Sequence, residues 1–497
     1  MAECLLEDCN LNTYEHEDKC ILHCEKHEYS QDFHKIGFLN SFYRELMYLI
    51  ASLLESNEVG TKEHILEYLE DETASNTTTT INFNNIRIMI VLNEIYFPQS
   101  KDIDSFEYTR LLRKLERIYF NYCKFSISYL DLHNTECFFH DCKFQNALLL
   151  YNFYILENES NVLFQKCEFN DGVVSFGDGR KMTIDNSLFC DCSFNKLTFE
   201  DTTFKQPIFK NSKGFTGEIK EFSMSNSIVE DRFILNYHAV ESLSLVDTIF
   251  HEKVELKKAR NIVDCSISNC NFKGLVDCYT SNFDNLFIYK SIFEEYVGFE
   301  YCRFGTSYEK CENCSTKFEY VTFLNFINMR NTNFISGLDF SSANLKEYPN
   351  FLGAKINPLN TNKETFRIIK HSFDKIGNTS EANRYFSCEM NKEMSETLFL
   401  RSPAKKTMLF LNRLLSNFGQ WYFLPLMWLL ILIPFHEWVV SSHSFDNLDT
   451  LNHIVKNILP VKHFLNKDME FISLLFYIAY SGLIYHFIIS VKRITKR

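Results

Sequence analysis

The sequence predicts a multi-domain chain. A central repeat array has α-helical segments on either side, and two apolar helices follow near the C-terminus. Three observations predict this. From Ile184 to Phe209 an apolar residue returns at every fifth position: Ile184, Phe189, Phe194, Phe199, Phe204 and Phe209. Neither helix nor strand has a period of five, and a fixed short period marks a repeat architecture. Cysteines and a histidine cluster near the N-terminus, at Cys4, Cys9, Cys20 and His23. Two C-terminal apolar stretches each approach the ~20 residues that a membrane span needs.

At 497 residues the chain exceeds the usual length of one domain. It holds 49 Phe but only 8 Pro and 15 Gly, which excludes disordered and collagen-like classes. A net charge of −13 gives no basic footprint for nucleic acid. The first twenty residues are polar and acidic, without the apolar core of a signal peptide. With 17 Cys, that composition points to a reducing compartment and free thiols.

Residues 1–30 carry Cys4-x4-Cys9-x10-Cys20-x2-His23, followed by Cys24 and His27. Thiolates and imidazoles at such spacing suit tetrahedral zinc. A segment this short has too little core to fold alone, so a metal would supply the folding energy. The best ligand set is Cys4, Cys9, Cys20 and His23, with Cys24 as a substitute for His23. Four protein ligands would make a structural Zn2+ site, because no open position remains for catalysis. The segment resembles the small Cys/His zinc knuckles of some bacterial proteins.

Residues 31–118 read as a helical region that caps the repeat. Phe38, Leu39, Phe42, Leu46, Leu49 and Ile50 follow helical spacing. Glu63–Leu69 and Ile86–Tyr96 read as further helices, Asn76–Thr80 as a loop, and residues 101–118 as an amphipathic lead into the repeat.

The repeat occupies residues 119–346. Its phase shifts several times, so corners gain or lose residues. Two positions before each anchor the residue is mostly small: Ser187, Cys192, Leu197, Thr202 and Pro207. Cys123, Cys137, Cys142, Cys167, Cys265, Cys270 and Cys302 take the same place in other coils, where Cys serves as a small buried hydrophobe. A large residue at i and a small one at i−2, every five residues, resembles the pentapeptide-repeat family. That resemblance implies a right-handed quadrilateral β-helix with both positions pointing inward. The family's A(D/N)Lxx consensus is nearly absent, and only the SSANL ending at Leu345 approaches it. At about twenty residues per coil the span makes roughly eleven coils, about 50 Å long at the β spacing. Cys311-x2-Cys314 is a lone pair and reads as a loop with two free thiols. His133, His140, His238 and His251 are scattered and form no triad. No phosphate-binding or catalytic motif is present.

Residues 347–415 form a helical connector. Phe366, Ile369, Phe373 and Ile376 share one face, Gly377 signals a C-cap, and Ser380 reads as the next N-cap. Residues 416–497 read as a transmembrane hairpin with spans at about 421–440 and 471–491. Trp421, Tyr422 and Trp438 sit at interfacial positions. Lys405, Lys406 and Arg413 precede the first span; Lys492, Arg493, Lys496 and Arg497 follow the second. By the positive-inside rule both flanks are cytoplasmic, and the loop 441–470 faces outward. His436, His443, His453 and His463 are too dispersed for a metal site. Ser473, Tyr477, Tyr480, Ser481, Tyr485 and His486 would line a path if hairpins assembled. The helix pair and the entry into the first span resemble membrane-anchored bacterial members of the same family.

The expectation is a non-enzymatic protein anchored in the inner or plasma membrane. Its cytoplasmic β-helix would serve as a protein-binding, scaffold or sensor surface for an unidentified partner. The alternative is an effector or channel, in which homo-oligomerised hairpins form a pore in a stress or phage-defence setting. A minor alternative is acidic mimicry of DNA; binding of nucleic acid itself is not expected.

Overall fold

The computed structural model describes residues 3–6, 9–14, 17–25, 36–70, 88–98, 111–127, 129–146, 148–156, 161–176, 181–305, 315–442, 466 and 469–495. His27, Asn76–Thr80, Cys311, Cys314, His443, His453, His463, Lys496, Arg497 and most of the loop 441–470 lie outside the described residues, as does the side chain of His133. The chain divides into two units. The first comprises residues 1–336, 342–347 and 353–355, and the second comprises 337–341, 348–352 and 356–497.

The first unit is a parallel β-solenoid of about nine turns. Every strand pairing given with its register is parallel, each strand lying on the equivalent segment of the next coil. One coil runs through Glu218–Ser225, Ile228–Val229 and Phe233–Ile234, and returns at Ala239. The count falls below eleven because the coils are unequal. Nineteen residues separate the paired Arg117 and Glu136. Thirty separate Asn285 from Ser315, which it contacts in the next coil. The inward positions keep their register across the longer coil, Leu286 pairing with Thr316 and Ile288 with Phe318.

The inward positions stack. Phe97, Phe125, Phe144, Phe169 and Phe194 form one column of near-parallel rings, with centroids 4.6–4.9 Å apart. Phe120, Phe139, Phe164, Phe189 and Phe209 form a second, with spacings of 4.7–5.7 Å. The two columns meet edge to face, as in the Phe164–Phe169 pair at 5.3 Å and 80°. Both geometries suit the ring quadrupole, and the spacing follows from the distance between strands. Ile184, Phe189, Phe194, Phe199, Phe204 and Phe209 are all at most 5% exposed.

The corners explain the phase shifts. Tyr122, Asp141, Lys166 and Asp191 hold φ between 51° and 55°, the left-handed region. That conformation costs about 1–2 kcal/mol for a residue with a Cβ. Each residue still donates its backbone N–H to the following coil, Lys166 to the carbonyl of Cys190 at 2.9 Å. A paired donor offsets the strain.

The solenoid starts earlier than the five-residue period indicates. Met89–Asn93 and Tyr96–Phe97 are strands, where the sequence reads as helix; they pair with Arg117–Asn121 and Lys124–Phe125. Ile90 and Leu92 alternate inward along the first of these strands, and Ile95, Tyr96 and Phe97 are buried at the second. Of the lead segment, residues 101–110 lie outside the described residues; Leu111 and Leu112 are helical, and the strand begins at Arg117. Helix α1 (Ile36–Ser56) does follow the helical spacing and buries Phe38, Phe42, Leu46 and Ile50. Its Phe42 meets Phe97 edge-on at 6.2 Å. Helix α2 (Lys62–Glu70) buries Ile65, Tyr68 and Leu69.

The second unit is helical. Helix α3 (Lys363–Lys375) is capped by Asn362, whose side chain accepts from the Thr365 N–H. It buries Phe366, Ile369 and Phe373, but Ile376 lies past its end and is 61% exposed. Helix α4 (Thr379–Glu396) is capped by Asn378 rather than Ser380, because the shorter link through Gly377 brings Asn378 within reach of the Glu381 N–H. Helix α5 (Pro403–Ser416), α6 (Phe423–Ser442) and α7 (Glu470–Thr495) follow. One of them is long and apolar enough to cross a membrane: α7, over Glu470–Arg493. The continuous apolar part of α6 is shorter, Phe423–His436. His436, Glu437 and the internal Pro434 interrupt it, so two full spans do not follow from the helices themselves.

Candidate metal centre

The N-terminal segment folds as two turns that converge. Glu3 and Asn12 form an antiparallel bridge, and the Cys4 N–H donates to Leu11 at 2.9 Å. Between them the Cys9 N–H donates to Leu6 at 3.0 Å, closing the loop that carries the first two thiols. The second turn winds at Cys20, whose carbonyl accepts from the N–H groups of both His23 and Cys24. Its hydrophobic plug is Leu22, fully buried, and the Leu22 carbonyl accepts from the Tyr96 N–H of the first coil at 2.9 Å. Lys124 pairs with Glu25 beside it.

The ligand atoms of Cys4, Cys9, Cys20 and His23 all lie within 4.8 Å of one another. Cys9 Sγ is 3.7 Å from Cys20 Sγ, and His23 Nδ1 is 3.1 Å from Cys20 Sγ and 3.8 Å from Cys4 Sγ. Tetrahedral thiolates on a metal at about 2.3 Å stand about 3.8 Å apart, which is the spacing of the Cys9–Cys20 pair. Four such groups can hold a metal ion. Cys24 is turned away, and its thiol donates to the Ile21 carbonyl at 3.8 Å.

The electrostatics follow from this packing. Burial pushes the Cys9 thiol up and the Cys20 thiol up to about 12. Cys4 is lowered: burial works against it, but hydrogen bonds from the backbone of Leu6 and Cys20 and from the thiols of Cys9 and Cys20 outweigh burial. Three thiols and an imidazole crowded this closely need a cation before more than one thiolate is tolerated.

The solenoid thiols have a different setting. Cys123, Cys142, Cys167 and Cys192 stack along one corner, each thiol donating to a carbonyl of the preceding coil at 3.1–3.5 Å. Burial pushes Cys142, Cys167 and Cys192 well above the usual thiol range. Cys190 and Cys278 are also buried, although neither was singled out by spacing. His238 is buried, with Nδ1 3.0 Å from the Asn236 carbonyl and Nε2 3.2 Å from Asn211 Nδ2. His140 stacks on Tyr119 and His251 is exposed, so the structure brings no triad together from these three. An open depression of about 470 Å³ on the solenoid surface is lined by Glu218, Glu241, Asp284 and Arg303 among others.

No family of known proteins, no curated protein and no solved structure matches this chain.

Proposed function

We propose that this chain is a membrane-anchored binding scaffold of the pentapeptide-repeat type, with a structural zinc site at its N-terminus and no enzymatic role. The observation that carries this reading is α7. Leu475, Ile478, Tyr485 and Ile488 on that helix are half or more exposed, a surface that water solvates poorly. The solenoid supports the binding role, since its interior is filled by stacked rings and its flat outward faces are what remains for a partner.

In this reading α6 joins α7 as a hairpin. Phe435 meets Phe476 at 5.9 Å, and His436 Nδ1 lies 3.1 Å from the Tyr480 hydroxyl. A locally thinned bilayer accommodates the shorter partner. In this reading the basic flanks support a cytoplasmic side for the solenoid and both ends. That His436–Tyr480 pair also motivates the second reading, an oligomeric pore, because polar groups inside spans mark ion or proton paths.

Purified full-length protein in liposomes tests both. Resistance to alkaline carbonate extraction with silent bilayers supports the scaffold; conductance at single-channel resolution supports the pore. Release by carbonate removes both. For the metal, one equivalent of zinc per chain is expected, lost in Cys4→Ala and Cys20→Ala. Less than about half an equivalent in the wild type rejects the site.

A further inference from the structure

Helix α5 leaves an apolar arc exposed on the unit that holds it. Leu409 and Ser416 are buried, and Lys405 and Lys406 reach back to Glu393, Met394 and Thr397 of the preceding segment. The arc on the other side is apolar and exposed: Met408 is 67% exposed, Phe410 55%, Leu411 46% and Leu414 40%. Phe410, Leu411 and Leu414 follow helical spacing and share one face, and Met408 flanks it one turn before Leu411. The residues just before the helix continue the pattern, with Leu398 at 67%, Phe399 at 58% and Leu400 at 97%. A soluble helix hides its large apolar residues and exposes its charged ones; α5 leaves both exposed.

Charge points to the same partner. From Thr397 to Phe435 there is no Asp or Glu, but there are Arg401, Lys405, Lys406 and Arg413, in a chain whose net charge is −13. Arg401 and Arg413 are both exposed. An apolar arc with basic residues beside it is what a helix lying in a lipid interface needs.

Position completes the argument. The last turn of α5 is tied to the basic end of α7. Ser416 Oγ lies 3.2 Å from His486 Nδ1, and Arg493 donates to the Phe418 carbonyl. Asn383 Nδ2 donates to the Arg493 carbonyl at 3.1 Å. Trp428 Nε1 donates to the Leu414 carbonyl at 3.0 Å, which ties α6 to the same turn. When α7 spans a bilayer, Lys492 and Arg493 sit among the headgroups, and these contacts hold α5 at that depth.

We propose that α5, with Leu398–Leu400, is an in-plane amphipathic helix that lies in the headgroup region of an anionic membrane, with Met408, Phe410, Leu411 and Leu414 in the acyl boundary and Arg401 and Arg413 on lipid phosphates. This rests on the membrane reading of α7 and adds a second contact of a different kind. It also makes the helix a reader of lipid charge, because polybasic segments weaken steeply as anionic lipid is diluted.

The test is lipid photo-crosslinking in the full-length protein, reconstituted in mixed phosphatidylcholine and phosphatidylglycerol vesicles. A benzophenone amino acid replaces Phe410 or Leu414; Ile478 reads the anchor and Tyr279 on the solenoid is the negative control. Lipid adducts are expected at 410, 414 and 478 and not at 279. Phosphatidylglycerol is expected in the 410 and 414 adducts at about threefold or more over its share, an enrichment that Arg401→Gln with Arg413→Gln removes. Adducts at 478 without any at 410 and 414 overturn the in-plane helix while leaving the anchor standing. Adducts at 410 and 414 without any at 478 support the in-plane helix and reject the span. Adducts at 410 or 414 to a second protein chain overturn the proposal, as do adducts that mirror the bulk lipid composition.

Discussion

Cys20 and Cys167 are equally hidden, at 0% and 1% exposed, yet they sit in opposite kinds of site. Cys167 donates a hydrogen bond to the Phe139 carbonyl at 3.4 Å and lies in the stacked cysteine corner; it fills space. Cys20 faces other donors, a thiol at 3.7 Å and an imidazole at 3.1 Å. The N-terminal turns and the solenoid therefore solve one problem in two ways. Neither has a conventional core between layers. The solenoid stacks each coil on its neighbour and gains stability by repetition. The N-terminal turns have Ile21 and Leu22 as their fully buried large aliphatic residues and need a cross-link. Burial of a cysteine says little about its role. Convergence with a second donor says much more.

Metal removal should break the comparison most. Structural zinc contributes about 10–16 kcal/mol to the folding of isolated zinc-finger peptides, so the N-terminal turns should open without it. A strong chelator is expected to make Cys4, Cys9, Cys20 and Cys24 reactive to a maleimide within minutes. Cys142, Cys167 and Cys192 should stay protected on the same timescale, and Cys167→Ala should leave the metal content unchanged. Mass spectrometry of labelled peptides reads both. Equal reactivity of the two groups of thiols would show that the solenoid depends on the metal as well, and the division would fail.

The solenoid side is sharpened by Phe164→Ala. Phe164 is fully buried and stacks on Phe139 at 4.9 Å and Phe189 at 5.5 Å. Removing it should cost about 3–5 kcal/mol. Hydrogen exchange should locate the loss in the coils on either side of 164, with metal content and the N-terminal turns unaffected. A repeat array transmits damage through neighbours rather than through the whole chain. Uniform loss of protection from Met89 to Leu345 would contradict the nearest-neighbour picture.

The sequence made one region legible because it repeats. From Ile184 to Phe209 one coil takes twenty residues, Met182 pairing with Thr202, and successive anchors fall on every fifth residue, so the period shows. Elsewhere the same inward positions are present, but thirty residues can pass between paired positions, as from Asn285 to Ser315, and the period disappears. Met89–Phe97 was missed as a strand because an isolated first coil has only alternation to show, over too few residues to separate it from a helix. The metal ligands were legible because spacing in sequence and spacing in space coincide within one short turn, Cys20 to His23. Spacing alone left His23 and Cys24 both open; the backbone at Cys20 turns one inward and sends the other to the Ile21 carbonyl. Helix α5 was legible as helix and basic flank, but its exposed apolar arc is a property of packing that no periodicity contains.

The smallest effect concerns a solenoid histidine that the packing encloses on most sides. His238 takes the small-residue place two before Val240 with a polar ring held by Asn236 and Asn211. Burial pushes its imidazole down, although the Asn236 and Leu235 backbone and the Asp191 carboxylate pull the other way. The folded state therefore keeps His238 neutral where the unfolded chain, titrating near 6.5, binds a proton. Above that pH neither state is protonated and nothing is lost. As pH falls through it, the unfolded state gains a proton that the folded state refuses, and stability declines by up to about 1.4 kcal/mol per unit. His238→Gln has no such dependence. The stability gap between wild type and variant should narrow by about 1 kcal/mol between pH 7 and pH 5 in matched urea titrations. A gap that holds constant would mean that the fold leaves the imidazole where the unfolded chain has it, and a gap that widens would mean that His238 is protonated in the fold, with Asp191 as its partner. The coil would then tolerate a buried charge where the cysteine corner tolerates none.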